Sequence, residues 1–140
     1  MTFTLDERLQ ADTHHLTTLA LSERVSCQVR LFDDTRYCWL VFIPEHPECV
    51  ELFELPDTAQ QALWRILAEW GQCLKDHFNA DKLNVASLGN LVPQFHVHLV
   101  LRFKQDPAWP GPVWGHSPAE PMTTEVLAKR MEELKVLLLP

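Results

Sequence analysis

The chain has 140 residues, 46% of them hydrophobic and 22% charged, with a formal net charge of −7 at pH 7. Such a length suits one domain with a sizeable core, and such a composition an ordinary globule. The acidic balance argues against a general binder of nucleic-acid polymers or anionic membranes, while leaving room for a mononucleotide in a small local site.

The four cysteines, Cys27, Cys38, Cys49 and Cys73, contain no Cys-x-x-Cys pair. They read as structural thiols rather than as a zinc cluster. No signal peptide and no apolar run of membrane-spanning length is visible, so the expectation is a cytoplasmic protein without a membrane partner.

In chain order, residues 5–10 suggest a short helix and residues 13–21 a strand rich in Thr and Leu. Residues 24–32 form a clearer strand, in which Cys27, Val29 and Leu31 alternate with Gln28 and Arg30. Asp33-Asp34-Thr35-Arg36 reads as a turn. Residues 37–43 then return as the second arm of a hairpin that stops at Pro44. Asp57–Phe78 carries Ala59, Leu63, Ile66, Leu67, Trp70, Leu74 and Phe78 at three- and four-residue steps, one apolar stripe of a long helix. Asp57 and Gln60 have the spacing of a capping box, and Asn79 is a natural stop. Gly71 inside that helix suggests close packing.

Lys82–Ala86 reads as a strand, residues 87–93 as a loop with Gly89 and Asn90, and residues 94–103 as a further strand. Residues 106–121 hold five of the ten prolines together with Trp109 and Trp114, the pattern of an ordered but irregular excursion. A final helix over 123–139 begins at a Thr123 or Thr124 cap. The whole is expected to be one α+β domain, residues 1–140: an antiparallel sheet of about five strands, one long helix packed on it and a C-terminal helix.

Residues 94–103 are the most informative. Period two puts Phe95, Val97, Leu99, Leu101 and Phe103 on one side and Gln94, His96, His98 and Arg102 on the other. The histidines would stand about 7 Å apart along the strand, which rises roughly 3.3 Å per residue. Helices on the apolar side would leave the histidines on an open face. A strand that served packing alone has no need of two neighbouring imidazoles. Such a pair can start a metal site, or one ring can attack an electrophile while its neighbour handles charge or a proton.

With that strand, its preceding Gly- and Asn-bearing loop, the long helix and the hairpin, residues 28–103 resemble the histidine triad (HIT) superfamily of nucleotide hydrolases and transferases. Its mark is His-φ-His-φ-His-φ-φ, with φ apolar; this chain has Gln-φ-His-φ-His-φ-φ. Two registers are possible. The favoured one puts Gln94 first, His96 in the middle and His98 last, leaving Leu99-Val100 as the apolar pair. The other starts at His96 and lets Val100 replace the last His. In the favoured register the resemblance implies that His96 attacks the α-phosphate of a nucleotide to form a nucleotidyl-histidine, with His98 and Gln94 assisting. It further suggests Asn84, Ser87 and Asn90 as donors to the phosphate. Asp33 or Asp34 would be the ribose ligand and His46 a further site residue. Trp109 or Trp114 would pack on the sheet or close over a base from a partner subunit.

The resemblance also implies a nucleotide or dinucleotide as small-molecule substrate, purine rather than pyrimidine, and a homodimer. No cofactor is expected, the lack of a carboxylate cluster near the strand suggests no metal, and residues 106–121 are the segment expected to reach the neighbouring subunit. Alternatives from other classes are a nucleotide-binding protein with little catalysis and a His-x-His metalloprotein. The leaving group, whether from a dinucleoside polyphosphate, a phosphoramidate or a nucleotidyl sugar, is not readable.

Overall fold

The computed structural model describes all residues 1–140. A short helix α1 (Glu7–Asp12) leads into β1 (Thr13–Ala20), and β2 (Ser26–Phe32) and β3 (Trp39–Pro44) form the expected hairpin. A single 3₁₀ turn (Leu52–Glu54) precedes α2 (Asp57–Phe78), then β4 (Lys82–Ala86), β5 (Val97–Arg102) and α3 (Thr124–Leu138). The five strands form one antiparallel sheet in the order β1-β2-β3-β5-β4. This is the α+β arrangement the patterning predicts.

The long helix lies where its stripe places it, burying Ala59, Leu63, Leu67, Gly71 and Leu74. Gly71 marks a close approach: a Cβ there would stand 2.9 Å from Leu83 Cδ1 of β4, so the leucine side chain would have to shift. Asn79 ends the helix in the left-handed conformation at φ 54°. The expected capping box at Asp57 is absent. Pro56 occupies the cap position, and Gln60 Nε2 instead donates to the Leu55 carbonyl. The capping box lies upstream, where Glu51 and Glu54 close the 3₁₀ turn. Thr123 caps α3 by accepting from Val126 N–H.

On the helix side, Val29, Leu31, Leu40, Phe42, Leu99 and Leu101 of the sheet pack with α2, and Leu134 of α3 joins the same core. The opposite side is not open, contrary to expectation. Leu9, Tyr37, Trp39, Val41, Ile43, Val100, Ala108 and Val113 form a second, smaller apolar cluster there. The reason is long-range: α1 and the 106–121 segment fold over the histidine side of the sheet. Period-two alternation reports which side a residue takes, not what later covers it.

Two buried ion pairs tether the 106–121 segment. At its start Arg102, 1% exposed, donates to Asp106 at 2.8 and 3.0 Å, to Asn84 Oδ1 and to the Gly111 carbonyl. Burial alone would raise the Asp106 carboxyl. The hydrogen bonds from Arg102 and from the Phe103 and Trp109 amides outweigh it and hold the group below the usual carboxylate range. At the far end Arg36 pairs with Asp34 and donates to Ser117 Oγ and the Pro118 carbonyl. The segment therefore packs on its own chain.

Candidate active site

A cavity of about 460 Å³ opens on the histidine side. Its floor is His96, His98, Trp39 and Val41; its walls come from α1, the 88–92 loop and the 113–119 stretch of the tethered segment. Regular strand geometry starts only at Val97, so Gln94, Phe95 and His96 approach β5 as irregular chain, held in part by the bond from Phe95 N–H to the Cys49 carbonyl.

The histidines are buried, 6% exposed at His96 and 7% at His98, with ring centroids 4.9 Å apart and the edge of one ring turned to the face of the other. His96 Nδ1 lies 2.7 Å from the Gln94 carbonyl oxygen. A carbonyl only accepts, so Nδ1 carries the proton and Nε2 is left with its lone pair. The arrangement at His98 is the reverse. Trp39 Nε1–H donates to His98 Nδ1 at 2.9 Å. An indole N–H only donates, so the neutral His98 ring carries its proton on Nε2. Burial, with a smaller contribution from His96, pushes the His98 pKa down to about 3. The two imidazoles are thus held in opposite tautomers: one offers a lone pair, the other an N–H.

Of the other residues singled out in the sequence, Asn90 and Asp34 line this cavity; Asn84, Ser87, Asp33, His46 and the Gln94 side chain do not. Asn84 accepts from Arg102. Asp33 accepts from the Met122 amide and lies 3.4 Å from His14 Nε2. Asp34 reaches the cavity already engaged by Arg36, whose side chain and amide donate to it. The Gln94 amide faces the N-terminal segment, accepting from Asp6 N–H and donating to the Thr4 carbonyl, because the chain has not yet entered the alternating geometry of β5. Trp114 borders the cavity of its own chain, edge-on to His98 at 5.4 Å.

Sequence reading missed Trp39. Its signal was present but weak: an aromatic residue opening the strand that pairs with the histidine strand. It also missed Arg36, which joins the cavity wall to the tethered segment. No group of three or more His, Cys, Asp or Glu is placed to hold a metal ion. Burial pushes the Cys27 and Cys38 thiols up to about 12, which leaves them protonated and unreactive. No helix is long and apolar enough to cross a membrane.

The family model for the HIT domain matches residues 14–105. Three solved structures agree along nearly the whole chain. A histidine triad protein from Sinorhizobium meliloti 1021 is 40% identical, with 98% of each chain covered and a TM-score of 0.89. One from Marinobacter aquaeolei VT8 is 41% identical, covering 99% of this chain and 97% of that one, also at 0.89. One from Bradyrhizobium japonicum is 33% identical, with 99% of each covered, at 0.90. No curated protein matches. The chain belongs to the HIT family, and its five-stranded sheet and helices are the HIT fold. That membership supports a nucleotide-binding, hydrolase-like function.

Proposed function

We propose that this protein is a nucleotide hydrolase or nucleotidyl transferase that acts at an α-phosphate through a nucleotidyl-histidine on His96. The observation that carries the reading is the opposite tautomers of the paired histidines. His96 presents an unprotonated Nε2, while its Nδ1–H rests on the Gln94 carbonyl, which stabilises the positive charge the ring gains on attack. His98 supplies an Nε2–H to the phosphate oxygens, where charge accumulates. The same contact supports the register with His96 in the middle position, where its Nδ1–H has a carbonyl to rest on, and with Gln94 first, serving through its backbone.

Asn90 and the loop around Gly89 are the remaining candidates for phosphate contacts, and Asp34 with Arg36 for the ribose end. The apolar lining of Leu9, Phe32, Val41 and Val113 suits a flat base, and we expect purines to be preferred. The bond-making step needs no divalent metal, so activity should persist in EDTA.

The direct test is mass spectrometry of protein quenched with a panel of nucleotides. A nucleotidyl adduct on His96, absent in His96→Ala, is the expected result. No adduct and no turnover on any nucleotide would overturn the reading. We further propose a homodimer in solution, to be checked by light scattering; a mass near 16 kDa at micromolar concentration would exclude it.

A further inference from the structure

Trp39 holds the lone pair of His98 Nδ1 and is itself firmly placed. Its ring stacks on Phe32 at 4.0 Å and meets Tyr37 and Trp114 edge-on. For His98 to act as an acid it would first have to gain a second proton at Nδ1, where the indole N–H already points. The other charged or titratable groups on this side of the sheet offer no substitute: Tyr37, edge-on to Trp39, is pushed up by burial and holds its phenol proton. His96 has its one proton on the Gln94 carbonyl. The Asp34 carboxylate accepts three hydrogen bonds from Arg36, and the guanidinium does not give up protons. Arg30 stands in the same cross-strand row as His98, two strands away, bonded to Thr13 and Gln28. Arg102 is closed off by Asp106. Asp12 borders β1, three strands from β5, or roughly 14 Å at about 4.8 Å per strand.

We propose that Trp39 is a positioning residue that, together with the enclosure of the ring, keeps His98 a neutral Nε2–H donor, and that the site is restricted to substrates whose leaving group departs as an anion without gaining a proton. This rests on the nucleotidyl-transfer reading. In the first step the His96 Nε2 lone pair forms a bond to the α-phosphorus. The bond from phosphorus to the bridging oxygen breaks, and its electron pair leaves on that oxygen. No proton moves, and His98 Nε2–H bonds a non-bridging oxygen. In the second step a water oxygen attacks phosphorus, the P–N electron pair returns to His96, and one water proton passes to solvent. A phosphoanhydride meets these terms because its leaving phosphate is a stable anion. A phosphoramidate does not, because its amine leaves only after protonation.

Two measurements test this. Histidine ¹⁵N NMR of the unligated protein should show His98 as the Nε2–H tautomer, unchanged between pH 8 and 5. In Trp39→Phe, which keeps a ring over Phe32 but removes the N–H, the Nδ1–H tautomer should become populated and protonation should begin at a higher pH than in the wild type; a tautomer unchanged from the wild type would overturn the role of Trp39. A wild-type His98 that titrates there, or carries its proton on Nδ1, would overturn the proposal whether or not a substrate is found. Single-turnover rates on substrates sharing an adenosine 5′-phosphoryl group provide the second test. The wild type should cleave a diadenosine polyphosphate at least about a hundredfold faster than an adenosine phosphoramidate, and Trp39→Phe should narrow that ratio progressively as pH falls. Equal wild-type rates on the two bonds, or a ratio unmoved in Trp39→Phe, would overturn the leaving-group restriction. Absence of turnover on every nucleotide would remove the restriction together with the nucleotidyl reading, and the NMR result would still decide the hold of Trp39 on His98.

Discussion

The two sides of the sheet are built on different principles. On the helix side, stability comes from area: a continuous apolar surface in which each leucine is one contributor among many. On the histidine side the cover is irregular chain, and single polar contacts fix it: Arg102 to Asp106, Arg36 to Asp34 and Gln94 to the N-terminal segment, with Trp39 fixing His98 beneath it. A surface held by area tolerates small errors of placement. The proposed catalytic pair does not, since hydrogen-bond direction sets which nitrogen bears the proton. The contrast predicts that substitutions on the helix side cost stability alone, while those on the histidine side change chemistry as well.

The sharpest break should come from His96→Ala, which removes the proposed nucleophile from a cavity whose walls remain. We expect nucleotidyl transfer to fall by roughly a thousandfold or more with the fold intact, read from single-turnover rates and circular dichroism. Retention of more than about a tenth of the wild-type rate would mean that His96 is not the attacking group.

Next comes a matched pair. Leu63→Ala should cost about 2–5 kcal/mol by cavity formation and leave the rate per folded molecule unchanged. Arg102→Ala should cost about 3–5 kcal/mol, because it strands the buried Asp106 carboxylate, and should also lower the rate per folded molecule by loosening the 106–121 wall. Urea unfolding with activity measured on the same samples separates them. Equal effects on rate would erase the distinction between the two sides.

Acid sharpens the comparison further. The folded-state pKa of His98 lies near 3, below the 6.5 of an unfolded histidine, so between these values the unfolded chain binds the extra proton. Stability therefore rises with pH across that window and is lost as pH falls from about 6.5, by at most about 5 kcal/mol. His98→Gln, which keeps an acceptor near Trp39 but cannot titrate, should flatten the dependence of melting temperature on pH between 7 and 4.5. Asp106, held below its ordinary value, adds a further loss only at lower pH.

The smallest effect is expected at Gln94. Gln94→Leu removes the two bonds to Thr4 and Asp6 but keeps the carbonyl that His96 uses. It should cost about 1–2 kcal/mol and speed proteolytic cleavage within residues 1–6, while the rate changes by less than about tenfold.

The fold was readable where local pattern decides it. The stripe of α2, the β2–β3 hairpin and the apolar side of β5 all follow from spacing within one element. The histidine pair was readable for the same reason. The rest of the site depends on contacts across long sequence separations. Trp39 reaches a ring 59 residues away, and Arg36 reaches Ser117 across 81. Asp34 entered the cavity wall and Asp33 did not, a distinction set by how the turn leaves β2. Gln94 was placed beside the histidines by alternation, which fails where the chain has not yet become a strand. The Asp57 cap failed because Pro56 already occupied that position.

Trp39 and Trp114 both lie in the cavity wall against His98, whereas Trp64 stands half-exposed on α2 and Trp70 touches Phe42 on the other side of the sheet. The protein therefore carries an optical reporter of its own. Two of the five indoles lie against His98 in the cavity, so a ligand that enters as proposed would change their surroundings and their intrinsic fluorescence directly. Occupancy could then be followed in unlabelled protein, with Trp39→Phe and Trp114→Phe dividing the signal between the two rings.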